Sequence, residues 1–329
     1  MVNYKAVDVM KFVCAILVVV IHTSPFGKSE LSFIINQNIA RVVVPLFFIA
    51  SGYLVWGKYK ENKNYIYKYI KNLFKIIIVW NIIYLPFNIY LYNKLGKSLI
   101  QYLRDFLFNG TYLQLWYLNA LLISIILIVF FNRYFRIERI GVLTIGLYII
   151  GLLGSSYEGI FKNNLKDFLI NSYCLIFENT RNGFLFGAIF ITIGILIKEY
   201  NLNSKLEKRK NIIFILIMFI VLFIETYSLR KFFGVVAFDM LISLVFLAPL
   251  IFILTLNTNQ FKRIENTKVF RNLSFWIYCV HGLFIPISNR IFNVNEINNF
   301  IFVLGSSIIS YFIFEKIKII FKQKVLVGK

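Results

Sequence analysis

The segment KFVCAILVVVIHTSPFGK, from Lys11 to Lys28, decides the fold class of this protein. Ten apolar residues without a charge lead into His22. A helix that crosses a bilayer needs about 17–25 mostly apolar residues, and such runs recur along the whole chain of 329 residues. The hydrophobic fraction is 59%, against roughly 45–50% in a soluble domain. The sequence therefore predicts an all-α, polytopic membrane helix bundle that forms a single transmembrane domain over residues 1–329.

We predict about ten transmembrane helices from the apolar runs. Their approximate bounds are 7–24, 38–56, 73–92, 113–131, 139–154, 183–198, 211–228, 238–256, 273–291 and 298–321. Lys and Arg concentrate in alternate segments between these spans, which places both termini in the cytoplasm by the positive-inside rule. This distribution explains the net charge of +21 without a nucleic-acid partner. No small-residue cleavage site follows the first apolar run, so we expect it to remain as the first span.

The three cysteines, Cys14, Cys174 and Cys279, have neither CxxC nor metal-ligand spacing, and we expect no metal cofactor. The abundance of Ile, Lys, Asn and Phe is typical of an AT-rich bacterial genome. This amino-acid usage and the predicted spans together indicate a multi-pass protein of the bacterial plasma membrane. We therefore expect the lipid bilayer as a partner.

The first span carries a polar stripe. Asp8, Lys11, Ala15, Val18 and His22 recur at intervals of three or four residues, which places them on one helical face. Ionisable groups inside a bilayer are costly and usually mark function. We therefore expect this stripe to line the bundle interior, with Asp8 and Lys11 binding substrate. The alternatives are that Asp8 and Lys11 pair near the headgroups, and that His22 lies at the membrane interface.

Spans two and four supply further candidates for a polar cavity. Arg41 precedes Pro45, which loosens the helix because proline lacks a backbone N–H. A guanidinium suits a carboxylate or phosphate, although Arg41 can also extend toward the headgroups. Trp116 fits the aromatic belt of a membrane interface, whereas Asn119 is harder to explain in lipid. We predict Arg41, Trp116 and Asn119 as substrate-binding residues.

The later spans add polar residues to the same predicted cavity. Arg181 and Asn182 precede span six, and Glu225 follows thirteen apolar residues in span seven. A carboxylate in this position needs a partner, for which we expect Arg41 or Arg181. His281 falls near the middle of span nine, so we predict it, with Arg181 and Asn182, as a binding residue. The residues expected in the outer half of the bundle are His22, Arg41, Asn119, Arg181, Glu225 and Asp239.

Taken in order, several stretches of this sequence resemble the acyltransferase-3 family of integral membrane acyltransferases. They are DVMKFVCAILVVVIHT, RVVVPLFFIASGYL, LWYLNALL, RNGFLFGAIFITIG, the span-seven Glu225, and SFWIYCVHGLF. The resemblance covers essentially the whole chain. It implies transfer of an acyl group, commonly acetyl, from cytoplasmic acyl-CoA to a hydroxyl or amine of a surface carbohydrate or other acceptor. His22 matches the essential first-span histidine and Arg41 the arginine before the Pro-Leu-Phe-Phe segment, while Lys11 stands where the family often has Arg.

The resemblance also implies the donor and the partners. The donor is acyl-CoA, chiefly acetyl-CoA, and the acceptor is a carbohydrate or a lipid-linked glycan. Some relatives carry an extra-membrane hydrolase-like domain, so we expect either a one-module enzyme or the partner of a separate extracytoplasmic transferase. Other relatives are fused to amino-acid racemases, with a serine-transport role proposed for their membrane portion. A transporter or flippase for a small polar substrate is therefore the alternative function, and an accessory scaffold is a third.

Acyl transfer needs a base or nucleophile, together with donors for the oxyanion. An imidazole titrates near neutral pH, so we predict His22 as the catalytic base, with Glu225 orienting it or countering an arginine. Neither a GxSxG nor an HExxH motif occurs, which disfavours a serine hydrolase or a zinc protease. Arg41, Asn119 and Arg181 remain candidates either for the oxyanion or for an anionic acceptor.

Overall fold

The computed structural model describes residues 4–160, 164–292 and 296–327, and this part of the chain is helical without any strand. The helices are α1 (Tyr4–Thr23), α2 (Glu30–Gln37), α3 (Val43–Glu61), α4 (Tyr65–Leu95), α5 (Leu99–Arg104), α6 (Trp116–Phe131), α7 (Ile137–Leu153), α8 (Asn164–Phe177), α9 (Ala188–Glu199), α10 (Leu202–Lys205), α11 (Lys208–Phe233), α12 (Ile242–Leu256), α13 (Lys268–Ile291) and α14 (Ile297–Val327). Short 3₁₀ turns cover Ile39–Val42 and Gln260–Arg263, and π-helical turns cover Asp105–Asn109 and Gly183–Gly187. The predicted all-α class is confirmed.

Among the described residues, five helical segments are long and apolar enough to cross a membrane. They are Tyr4–Thr23, Glu30–Glu61, Tyr65–Leu95, Lys208–Phe233 and Ile297–Phe321. Trp116–Phe131 and Ile242–Leu256 are shorter apolar helices. Each predicted span overlaps a helix, but the count of about ten spans and the cytoplasmic position of both termini stay predictions.

The outer surface of the bundle is apolar. On α11, Leu216, Ile220 and Ile224 recur every four residues, with 60%, 60% and 61% of their areas exposed. Such a stripe is unfavourable in water, whereas lipid tails accommodate it. A helix also satisfies its backbone hydrogen bonds internally, as lipid requires. The high hydrophobic fraction and the apolar outer surface therefore both indicate a membrane protein.

Glycines allow the close contact between α3 and α9. A methyl group on Gly52 would collide with the backbone of Ile191, and one on Gly194 would collide with the backbone of Ile49. Only glycine permits two helix backbones to approach this closely, as in other small-residue interfaces of membrane proteins. α3 also packs against α1, α4, α6 and α12, so it lies inside the bundle.

Two non-helical segments position charged side chains. The turn Ile39–Val42 precedes α3, and Arg41 lies in this turn. Pro45 follows in the first turn of α3, where a helix has no use for its missing N–H. Between α11 and α12, residues 234–241 are not helical and carry Asp239. Both segments lie at helix ends. Their side chains Arg41 and Asp239 line a cavity together with His22, which lies in the last turn of α1.

Candidate active site

A cavity of about 140 Å³ lies near the end of α1 and is lined by His22. We call it the His22 cavity. Its polar and aromatic lining includes His22, Arg41, Phe47, Gln114, Trp116, Tyr117, Arg181, Phe186, Asp239 and Tyr278. Five of the residues expected from the sequence in or beside a polar cavity, His22, Arg41, Trp116, Arg181 and Asp239, therefore meet in one place.

Asp239 joins the two arginines of the His22 cavity. Arg41 Nη1 donates to Asp239 Oδ1 at 2.7 Å, and Arg181 Nη1 donates to the same oxygen at 2.9 Å. Gln37 Oε1 accepts from Arg41 Nε at 3.0 Å. The Arg181 guanidinium lies 4.6 Å from the centre of the Trp116 ring, which is a cation–π contact. One carboxylate between two guanidinium groups leaves a net positive charge, which suits an anion or a developing oxyanion.

His22 contacts a second imidazole. α1 packs along α13, and the ring centres of His22 and His281 are 5.2 Å apart. His281 is fully buried, and its Nδ1 lies 2.9 Å from the carbonyl oxygen of Ile277. Because a carbonyl only accepts, His281 Nδ1 carries a proton, and this bond orients the ring. Within the described part of the chain His281 Nε2 has no hydrogen-bond partner, so it is available to accept one.

A second cavity of about 280 Å³ lies toward the other end of α1 and is lined by Lys11. We call it the Lys11 cavity; Lys11 and His22 are about 16 Å apart along the helix axis at 1.5 Å per residue. Its polar lining consists of Lys11, Ser51, Tyr69, Asn72, Tyr117, Arg271, Ser274 and Tyr278. Two cations beside hydroxyl and amide groups suit a ligand with phosphate groups. No group of three His, Cys, Asp or Glu side chains is placed to hold a metal ion among the residues the structure describes.

α13 supplies His281, which the sequence interpretation predicted, and three cavity residues that it did not single out, Arg271, Ser274 and Tyr278. Arg271, Ser274, Tyr278 and His281 follow one another at intervals of three, four and three residues. The first three line the Lys11 cavity, and His281 contacts His22. The same spacing marks the stripe on α1, so helical periodicity was a usable signal for this second face.

Four predicted binding residues, Asp8, Asn119, Asn182 and His281, line neither cavity. Asp8 Oδ2 accepts from Thr267 Oγ1 at 2.8 Å, which links α1 to the residue before α13. Asn119 Nδ2 donates to the carbonyl oxygen of Phe106 at 2.5 Å and holds the π-helical turn against α6. These contacts tie each side chain to a neighbouring segment of the fold. A binding role for Asp8 and Asn119 stays a prediction.

Asn182 also has a structural contact. Its Oδ1 accepts from the backbone N–H groups of Phe184 and Leu185 at 3.0 and 3.2 Å. The first N–H groups of a helical segment have no internal partner, so Asn182 caps the turn that follows Arg181. A binding role for Asn182 stays a prediction.

Glu225 pairs with neither Arg41 nor Arg181, contrary to the expectation from the sequence. Its Oε1 accepts from the N–H of Ile242 at 2.6 Å, and its Oε2 accepts from the N–H of Ser243 at 3.0 Å. The start of a helix attracts a carboxylate because its free N–H groups carry partial positive charge, so Glu225 caps α12. Glu225 does not line the His22 cavity. Among the described residues, no contact between Glu225 and His22 supports the prediction that Glu225 orients the imidazole. Asp239 is the counter-ion instead.

Comparison with known families decides what kind of protein carries this site. The profile of a family described as an acyltransferase domain matches residues 4–315. The chain belongs to the acyltransferase-3 family. The matched range includes both cavities, so the resemblance inferred from the sequence stretches is confirmed.

Similar curated proteins are longer and carry racemase names. An amino-acid racemase of Enterococcus faecalis is 33% identical over 234 residues, which cover 70% of this chain and 32% of that protein. Another from the same species is 28% identical over 346 residues, covering 99% of this chain and 47% of that protein. A serine/alanine racemase of Enterococcus gallinarum is 28% identical over 293 residues, covering 84% and 40%. This acyltransferase-3 chain thus spans less than half the length of these relatives. No solved structure matches it.

Proposed function

We propose that this protein is a membrane-bound O-acyltransferase. It moves an acyl group, acetyl in the simplest case, from cytoplasmic acyl-CoA to a hydroxyl of a cell-surface carbohydrate or related acceptor. The observation that carries the proposal is the His22 cavity, where an imidazole shares a small space with two arginines held by one carboxylate. Membership of the acyltransferase-3 family supports acyl transfer, of a group other than aminoacyl, as the class of reaction.

In this proposal His22 is the general base. It takes the proton from the acceptor hydroxyl while the hydroxyl oxygen attacks the thioester carbonyl carbon. The carbon–oxygen bond forms, the carbon–sulfur bond breaks, and His22 returns the proton to sulfur so that coenzyme A leaves as a thiol. A positioned base contributes about 10²–10⁴-fold in rate. Arg41 and Arg181 stabilise the carbonyl oxygen while it is negative.

The Lys11 cavity suits the donor. Lys11 and Arg271 supply two cations for the phosphate groups of coenzyme A, and Ser51, Asn72 and Ser274 supply hydrogen bonds. With a cytoplasmic N-terminus, as the positive-inside rule predicts, this cavity opens toward the compartment that holds acyl-CoA.

The His22 cavity then faces the acceptor side of a bacterial plasma membrane. A carbohydrate or a lipid-linked glycan would receive the acyl group there, either directly or through a separate extracytoplasmic transferase. The two arginines favour an acceptor with an anionic group near the reacting hydroxyl.

Purified protein in sealed lipid vesicles tests the proposal. Acetyl-CoA is supplied on each side in turn with a mixed pool of cell-surface glycans, and free CoA and glycan-bound acetyl label are measured. We expect turnover by the wild type and a loss of about 100-fold or more in His22→Ala. Thr23→Ala is the matched control, because Thr23 is the next residue but lines neither cavity. Equal CoA release by wild type and His22→Ala would remove the assigned role of His22.

A transporter or flippase for a small polar substrate, such as an amino acid, is the second candidate. The observation that favours it is the set of relatives named amino-acid racemase and serine/alanine racemase. Transport needs no acyl-CoA, so uptake of labelled serine into the same vesicles separates the two functions. Serine uptake in the absence of acyl-CoA, combined with no CoA release for any acceptor, would replace the acyltransferase proposal.

A further inference from the structure

Three aromatic rings separate the Lys11 cavity from the His22 cavity. Phe47, Tyr117 and Tyr278 line both cavities. The distances between ring centres are 5.8 Å for Phe47–Tyr117, 6.4 Å for Phe47–Tyr278 and 5.5 Å for Tyr117–Tyr278. We call these three rings the aromatic partition. Because each ring contacts the other two, a group that moves directly between the cavities has to displace at least one of them.

Two of the three rings are anchored by hydrogen bonds. The Tyr278 hydroxyl donates to the carbonyl oxygen of Gln114, and the Tyr117 hydroxyl lies 3.4 Å from Ser51 Oγ. Turning either tyrosine would break a bond among buried groups, which is expensive. The Phe47 ring has no polar atom, so a change of rotamer costs only packing. Phe47 is therefore the ring that moves most readily.

The two sides of the aromatic partition offer different chemistry. Lys11 and Arg271 lie on one side, where they suit phosphate groups. His22 lies on the other side with Arg41 and Arg181. Under the proposed function, the acyl thioester has to pass from the first group to the second.

We propose that Phe47 is the moving ring of the aromatic partition and that it sets the longest acyl chain able to reach His22. This inference rests on the proposed function and adds a specificity-determining residue to it. The displaced ring still occupies part of the passage, so it leaves room for a short chain only. In a hydrophobic site, one methylene changes kcat/KM by about 10–200-fold. A smaller side chain at position 47 therefore admits a longer acyl group.

The test compares acetyl-CoA with butyryl-CoA in the vesicle assay. We expect Phe47→Leu to raise the butyryl-to-acetyl ratio of kcat/KM by about 10-fold or more. Phe48→Leu is the matched control, because Phe48 also packs on Tyr117, with 4.7 Å between ring centres, but lines neither cavity. Its ratio should equal that of the wild type. Phe47→Trp should lower the ratio, since the larger ring narrows the passage.

An unchanged ratio in Phe47→Leu overturns the inference, as does an equal rise in Phe48→Leu, which would indicate general loosening of α3. Circular dichroism and size-exclusion chromatography establish that the variants are folded. If Phe47→Leu does not fold, Phe47→Met and Phe47→Trp decide the question through the same ratio.

A labelling experiment tests the aromatic partition without catalysis. Val44 lines the His22 cavity but not the Lys11 cavity. Val44→Cys, in a protein without its native cysteines, then reports the entry of an impermeant thiol reagent supplied from the Lys11 side. Phe47→Ala should speed this labelling and Phe48→Leu should not. Unchanged labelling in Phe47→Ala overturns the partition whatever the turnover, whereas absence of CoA release by the wild type overturns the proposed function whatever the labelling.

Discussion

Asp239 and Asp105 each bind two cations, yet their surroundings differ. Asp239 holds Arg41 and Arg181 through one oxygen, and 24% of its side chain is exposed beside the His22 cavity. The Asp105 side chain is only 2% exposed. Its two oxygens accept hydrogen bonds from Tyr92, Lys97, Arg104 and Asn109.

The two carboxylates differ in how many hydrogen-bond donors surround them. Burial by itself raises the pKa of Asp105, but the hydrogen bonds that it accepts from Tyr92, Asn109 and Arg104 lower that pKa below its usual value. Lys97 and Arg104 also bind Glu178, so the cluster ties the chain after α4 to the chain after α8. The carboxylate of Asp105 accepts hydrogen bonds only from groups that hold the fold together, whereas Asp239 binds two arginines that also line a cavity; under the proposed function it holds them in place for a ligand.

Asp239→Asn should have the largest effect of the changes that test this comparison. Without the carboxylate charge, Arg41 and Arg181 repel each other and leave their positions, and a displacement of about 1 Å can reduce turnover about 100-fold. The measurement is kcat/KM for CoA release in vesicles. Asp105→Asn is the matched control, and its turnover per folded molecule should stay near that of the wild type. Equal losses in both variants would end the distinction between the two sites.

Asp105→Asn should instead reduce stability. The neutral amide cannot satisfy the donors that surround Asp105, which costs about 1–3 kcal/mol for a buried hydrogen-bonded group. The measurement is the thermal unfolding midpoint in detergent, with Asp239→Asn as the comparison. A lower midpoint in Asp239→Asn than in Asp105→Asn would reverse the assignment of structural and functional carboxylates.

Arg181→Lys should have a smaller effect on turnover. Lysine keeps the charge beside Asp239 but loses the planar contact with Trp116 and the fork of donors. A contact worth about 1.4 kcal/mol corresponds to a tenfold change, so we expect kcat/KM to fall about tenfold. Arg104→Lys makes the same exchange beside Asp105 and should leave kcat/KM unchanged. Full activity of Arg181→Lys would show that only the charge at this position matters.

The smallest expected effect is the pH dependence of the stability that Asp105 contributes. The pKa of Asp105 is lower in the folded protein than in the unfolded chain, so its stabilisation is present above the unfolded value of about 4 and is lost as the pH falls through the folded value. The difference in unfolding midpoint between wild type and Asp105→Asn should therefore shrink as the pH falls below about 4. A constant difference down to pH 3 would contradict this linkage.

Local patterns predicted a large part of the site. The three-and-four spacing on α1 correctly indicated an inward face, because Lys11 and His22 each line a cavity. The same spacing on α13 would have indicated Arg271 and Tyr278, had it been applied there. Spacing along a helix is visible in a sequence because the helix repeat is constant.

Which carboxylate pairs with Arg41 and Arg181 was harder to predict. Glu225 lies in an apolar helix and Asp239 lies in the segment that follows it, so either carboxylate was available to Arg41 and Arg181. The decision depends on where α12 begins, because the free N–H groups of Ile242 and Ser243 bind Glu225 and leave Asp239 to the arginines. A helix start that lies in three dimensions beside another helix is not readable from residue spacing.

The sequence by itself determined the all-α membrane class and the acyltransferase-3 family, and it predicted that His22 and Arg41 share one polar cavity, which both residues line. These conclusions rest on apolar run length, helical spacing and short motifs, which are local properties of the chain. Only the tertiary structure decided that Asp239 pairs with both arginines and that Phe47, Tyr117 and Tyr278 meet between two cavities. Residues so far apart in sequence come together through the packing of α3, α6 and α13, which depends on side-chain shapes across the whole bundle.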